Sequence, residues 1–187
     1  LIYSKYGKIE TVDHIRKKKY TQEFKNNLDE ICKPVIKKCV KKPYTKVEFL
    51  PDYERFGMKD GLTDDMYNLF KKRVYDIAAV TGKKVRVRFN GEVVPVKTFE
   101  NYISMYIGDK EETKRIYEKS SDRWEYAVCL TPQDEFTQVS FVNGVYTSKG
   151  GKHVEYILNQ IVKKISEHIK KKKKITVKPM TIKEQLM

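Results

Sequence analysis

The chain has 187 residues, 40% of them hydrophobic, so it can bury the core of one domain, or of one domain and part of another. Its longest apolar runs, such as Ala78-Ala79-Val80, fall far short of the ~20 residues that cross a bilayer, and Leu1-Ile2-Tyr3-Ser4-Lys5 has neither the apolar stretch nor the cleavage site of a secretory leader. Thirty-nine Lys and Arg leave a net charge of +14, which favours an anionic partner, nucleic acid before acidic membrane. Frequent Lys, Ile, Asn and Tyr also fit compositional drift in an AT-rich genome, so clustering of the charge has to decide. A start without Met is expected of a chain that begins mid-protein.

In chain order, residues 8–24 alternate apolar and polar, which predicts two strands joined near Asp13-His14. Residues 31–40 and 44–50 predict two more, the second ended by Pro51-Asp52. Leu62-Thr63-Asp64-Asp65 is a helix start: Thr63 can cap, the two acids suit the positive end of the dipole, and Leu62 can staple onto Tyr67. Met66, Leu69, Phe70, Val74, Ile77 and Ala78 follow at helical spacing, and Gly82 stops the helix. Residues 84–89 alternate as a half-buried strand, and Asn90-Gly91 is a strong hairpin signal. Val93 to Val96 return, with Pro95 marking an edge.

Thr98 opens a short helix through Ile107, and residues 108–122 predict a polar solvent loop. Trp124 to Leu130 and Thr137 to Val142 predict a strand pair. Gly150-Gly151 then opens the longest helix, about Lys152 to Lys172, with the apolar stripe Val154, Ile157, Leu158, Ile161, Val162, Ile165 and Ile169. Mixed strands and helices in this order predict an α+β fold.

The candidate chemistry is sparse. Cys32, Cys39 and Cys129 are odd in number and show no CxxC spacing, which fits a reduced intracellular setting. With His14, His153 and His168 far apart, no metal site is expected. The acid pairs Asp64-Asp65 and Glu111-Glu112 fall at a helix start and in a loop, so no catalytic residues are assigned. Thr147 to His153 places glycines before a helix N-terminus, where free N–H groups attract anions, but GxxxxGK[ST] is absent. A tight strand-to-helix turn explains that loop more simply. His153 could act as a base or phosphate ligand, or equally as a cap at the core's edge. Lys84, Arg86 and Arg88 could face phosphate, although the polar side of an alternating strand more simply faces solvent. Lys170 to Lys174 exceed what a helix C-terminus needs, because neighbouring like charges repel. They read either as a solvated helix end or as a phosphate-contacting loop that gives affinity without base specificity.

Several ordered motifs resemble eukaryotic-type DNA topoisomerase II (type IIA). Ser140-Phe141-Val142-Asn143-Gly144 with Thr147 to Val154 is similar to its transducer motif. So are Tyr53 to Met58, Lys71 to Ala78, and Pro95-Val96-Lys97 followed by Phe99, Tyr102 and Met105-Tyr106. Lys19 to Asn27 resembles a strand that ends the family's ATPase domain. The resemblance implies that residues 1–50 are the last strands of a Bergerat-type ATPase domain. Residues 51–187 would be the transducer, a mixed sheet backed by helices with a left-handed βαβ crossover. It implies an ATP-dependent enzyme that passes one duplex through a break in another, a homodimer with ATP and Mg²⁺ as cofactors. ATP-binding residues would lie outside residues 1–187, so the segment alone is expected to be inactive, coupling ATP binding and dimer closure to the DNA gate. By the same resemblance Lys170, Lys171 and Lys172 contact double-stranded DNA, with no membrane partner. The nucleus is the implied address, or a cytoplasmic replication site if the source is a large DNA virus. The rival reading is a stand-alone nucleic-acid-binding α+β module, which a longer reading frame would distinguish.

Overall fold

Alternating residues and a tight turn start the fold. Strands β1 (Ser4–Asp13) and β2 (Lys18–Lys25) pair antiparallel from Tyr6↔Lys25 to Asp13↔Lys18. The Asp13 carboxylate accepts the N–H groups of Ile15 and Arg16, each at 3.0 Å, and this closes the turn. The computed structural model describes residues 1–82, 84–131 and 133–187, and it divides into two compact units, residues 1–67 and 68–187.

In the first unit, β3 (Glu30–Ile31) and β4 (Val35–Lys38) both pair with β2, while β5 (Tyr44–Pro51) pairs with the other side of β1. All these pairs are antiparallel. The register puts Ile31, Ile36, Val47 and Phe49 on one face. Each is more than half exposed, so that face is apolar and open among the described residues. The opposite face is polar: Glu10 accepts the Tyr44 hydroxyl and pairs with Lys19 at 3.1 Å. The Tyr44 hydrogen bond, then that of Lys19, holds the Glu10 carboxyl below its usual range.

Helix α1 (Asp64–Val80) starts as expected, with Thr63 Oγ1 accepting the Met66 N–H at 3.4 Å and two acids in the first turn. Strands β6 (Arg88–Phe89) and β7 (Glu92–Val93) form the Asn90-Gly91 hairpin, both turn residues having positive φ. Of the expected 84–89 strand, Arg88 and Phe89 join the ladder and the Val87 carbonyl accepts the Val94 N–H at 3.1 Å, while at its start the Val85 N–H turns back onto the Gly82 carbonyl at 2.9 Å. Helix α2 (Phe99–Ile107) is capped by Thr98, whose hydroxyl accepts the Asn101 N–H at 3.1 Å. Ala78, Ala79, Val94, Val96 and Tyr102 form one core.

Two segments differ from the sequence expectation. Residues 108–122 are not all loop: β8 (Arg115–Ser121) pairs with β9 (Trp124–Cys129) from Arg115↔Cys129 to Ser121↔Trp124. Polar cross-strand pairs hold this ribbon, Tyr117 with Glu125 at 2.5 Å and Tyr126 with Glu118 at 3.0 Å, so apolar alternation does not reveal it. Nor does 137–142 pair with 124–130. Strand β10 (Phe141–Val142) folds back onto β11 (Val145–Tyr146) through Asn143-Gly144, again with both φ positive. The α+β class holds. Every ladder among the described residues is antiparallel, so the implied left-handed βαβ crossover, which joins parallel strands, has no parallel ladder there.

Helix α3 (Lys152–Lys173) buries Leu158 and Val162 against Ile182 of α4 (Pro179–Lys183) and Leu186. Each such side chain contributes roughly 1.5–3 kcal/mol. Among the described residues no helix is long and apolar enough to cross a membrane.

Candidate nucleic-acid interface

The lysine run owes its position to α3 and α4. The apolar stripe of α3 ends at Ile169, and the helix runs on for one further turn, Lys170 to Lys173. Lys174 closes it in the left-handed region, φ 56°, where glycine is usual, and its N–H donates to the Lys170 carbonyl at 3.0 Å. Five residues after Lys174, Pro179 starts α4, which packs back onto α3. The segment beyond α4 is tied to β9: Cys129 and Met187 exchange N–H···O bonds of 3.0 Å each, and the Thr131 N–H donates to Gln185 at 3.0 Å. The lysine turn is thus anchored on both flanks.

All five lysines are exposed. Among the described residues no carboxylate lies within ion-pair distance of any of them. The negative end of the α3 dipole favours cations there by a few tenths of a kcal/mol to about 1 each. Mutual repulsion opposes that gain, and an anion bound between the side chains would relieve it. At about 100° per residue, Lys170 to Lys173 sweep the whole helix circumference, so no flat partner meets them all. Lys163 and Lys164, both exposed, stand two turns before Lys170 and Lys171 on the same faces. Glu167, also exposed, stands one turn from each pair, so these faces carry four lysines with one acid between them.

The Thr147–His153 loop has a structural role. His153 Nε2 lies 3.2 Å from both Ser140 Oγ and Thr147 Oγ1, and those two oxygens are 2.6 Å apart. This latch fixes the β10–β11 hairpin to the start of α3. Gly151, at φ 149°, approaches the imidazole so closely that a Cβ would stand 3.2 Å from it. His153 thus takes the core-edge role. Lys84 and Arg86 are exposed, and the Arg88 guanidinium donates to the Gly91 carbonyl at 2.7 Å.

A second ionic constellation was hidden in the sequence. Asp76 is fully buried. It accepts from Lys72 Nζ at 3.1 Å to each oxygen, from Arg73 at 3.0 Å and from the Tyr102 hydroxyl at 2.5 Å. Tyr106 lies 3.0 Å from Tyr102, and the Lys72 ammonium sits 4.3 Å from the centre of the Tyr146 ring. Burial, then the Asp76 hydrogen bond, pushes the Tyr102 hydroxyl far above its usual range. Burial alone would lower Lys72, but its bonds to Asp76 and Tyr106 outweigh that and raise it. The only signal for this cluster is the i,i+3 and i,i+4 spacing of Arg73 and Lys72 to Asp76.

The family described as DNA gyrase B matches residues 98–187, which contain α2, the β8–β11 ribbons, α3 and α4. DNA topoisomerase 2 of Arabidopsis thaliana is 44% identical over 99% of this chain and 13% of its own length. That of Acanthamoeba polyphaga mimivirus is 40% identical over 100% of the chain and 15% of its own length. The crystal structure of the ATPase region of Saccharomyces cerevisiae topoisomerase II superposes with a TM-score of 0.88 at 40% identity, covering 99% of this chain and 47% of that one. The chain belongs to the type II DNA topoisomerase family. The ATPase and transducer domains of DNA topoisomerase II from Balamuthia mandrillaris agree, with a TM-score of 0.91 at 33% identity over 99% of this chain and 48% of that one. This topoisomerase segment spans only 13–15% of the two curated relatives' lengths. Among its described residues no group of three or more His, Cys, Asp or Glu is arranged to hold a metal ion.

Proposed function

We propose that the chain is the part of an ATP-dependent type II DNA topoisomerase that couples ATP binding and dimer closure to the DNA gate. In this reading residues 1–50 close the ATPase domain and residues 51–187 form the transducer. Lys170, Lys171 and Lys172 contact the phosphate backbone of duplex DNA. The observation that carries it is the lysine turn, which is exposed, without an ion pair among the described residues, and anchored by packed helices on both sides. A charge cluster held in place this way gives affinity without reading bases. The open apolar face of the first unit supports the domain assignment, since an apolar sheet face of this kind is covered when further chain packs on it.

The intact enzyme would be a homodimer that uses ATP and Mg²⁺. By the family resemblance, the residues that hold them would lie outside residues 1–187. A rigid transducer moving between two states passes closure from one gate to the other. Relatives from plants, amoebae, yeast and a giant virus fit action in the nucleus or at a cytoplasmic viral replication site. A stand-alone module is not favoured, because these relatives carry the segment inside a much longer protein.

The test uses the full-length enzyme with Lys170, Lys171 and Lys172 replaced by Ala. The ratio of ATP hydrolysis with and without duplex DNA should fall several-fold. An unchanged ratio contradicts the assignment.

A further inference from the structure

The first unit carries a separate concentration of positive charge where β4 lies on β2. Residues 16–19 and 37–42 contain eight Lys and Arg and no Asp or Glu. The register sets Lys18 opposite Lys38 and Lys19 opposite Lys37. Directly opposed residues bring their Cβ atoms to about 5 Å, and like charges there weaken the sheet. Acid partners are few. Glu10 takes Lys19 at 3.1 Å and Asp13 takes Arg16 at 3.0 Å. Lys17, Lys18, Lys37, Lys38, Lys41 and Lys42 are all exposed, and none has an ion pair among the described residues.

A lysine on an edge strand deters pairing with foreign strands. That need is met by one lysine facing outward. Two lysines set opposite two others act against the ladder they belong to, so edge protection does not explain them. The arrangement is also held in place: the Cys39 N–H donates to the Lys17 carbonyl at 2.8 Å, fixing the end of β4 against the β1–β2 turn. Lys18 and Lys38 project from one face of the sheet and Lys19 and Lys37 from the other, so the charges straddle the edge.

We propose that this edge is a second DNA-contact surface, on the unit that does not hold the Lys170–Lys174 turn. It takes the phosphate backbone of a duplex without base readout, and phosphate between the opposed lysines relieves their repulsion. The choice of DNA as the polyanion rests on the topoisomerase reading above.

The test titrates a duplex of fixed length with the 187-residue chain across a range of salt. With Lys17, Lys18, Lys37 and Lys38 replaced by Gln, the slope of log affinity against log salt should become shallower by about 3–4 units. An unchanged slope overturns the second surface. The Lys170/Lys171/Lys172→Ala variant runs beside it. If that variant alone loses slope, the second surface is wrong and the lysine turn stands. If only the edge variant loses slope, the second surface stands and the turn assignment fails. A wild-type chain that binds no duplex at low salt overturns both.

A single substitution guards against loss of fold. Lys38→Glu turns the Lys18–Lys38 repulsion into an attraction, so the melting temperature should rise by about 1–3 °C while duplex affinity falls several-fold. A rise in melting temperature with undiminished affinity marks a solvated edge only and overturns the proposal.

Discussion

Two groups of basic side chains in the second unit differ in what the fold provides for them. At Asp76 a carboxylate closed off from water gathers Lys72, Arg73 and the Tyr102 hydroxyl. At Lys170–Lys174 five exposed ammonium groups make no ion pair among the described residues. The first group joins α1 to α2 and ends within the protein. The second keeps its charge at the surface. Residue type does not distinguish them, since both hold consecutive basic residues near helix turns. What separates them is a buried counter-charge, and it predicts that one group governs stability while the other governs binding.

The largest effect expected is from Asp76→Ala. It leaves two cations and a buried hydroxyl without their acceptor. Because Lys72 and Arg73 are each 39% exposed and can turn toward water, the cost sits at the lower end for a broken buried pair, about 3 kcal/mol. Urea unfolding measures it, and a change under 1 kcal/mol would erase the contrast. Tyr102→Phe removes one buried donor and should cost about 1–2 kcal/mol in the same assay.

Tyr102 also sets a pH dependence. Its folded-state pKa is raised, so its contribution is full below the unfolded value near pH 10 and is lost as pH climbs above it. Lys72, also raised, acts in the same direction. Melting temperature should therefore fall with pH above about 10, and the fall should be shallower in Tyr102→Phe. Identical alkaline profiles for the two proteins would remove Tyr102 from the network. Thr98→Ala, which strips the α2 cap but touches neither group, should cost about 1 kcal/mol with no change in duplex affinity. Smallest of all, replacing Lys170, Lys171 and Lys172 by Ala should leave the urea midpoint where it was.

Much of this was legible in the letters because it rests on local rules. Thr98 and Thr63 cap where their spacing indicates, Asn90-Gly91 makes its hairpin, and α3 runs from Lys152 to within one residue of the expected end. The β8–β9 ribbon was hidden because tyrosine–glutamate pairs across strands carry no hydrophobic period. Asn143-Gly144 held the same hairpin signal as Asn90-Gly91, but the neighbouring Thr137–Val142 run suggested a longer strand and masked it. The Asp76 cluster depends on Tyr102, 26 residues away, and on Tyr146 beyond that, so no local window contains it. The lysine run was visible as a run. Its lack of ion pairs among the described residues and its anchoring by α4 required the fold.

The central claim is that Lys170, Lys171 and Lys172 touch DNA phosphate. The most direct measurement is the salt dependence of duplex affinity for the wild-type chain and the triple Ala variant, at matched thermal stability. Loss of three phosphate contacts should make the log–log slope shallower by about 3 units. Superimposable slopes would show that these lysines are a solvated helix end, and would contradict the account.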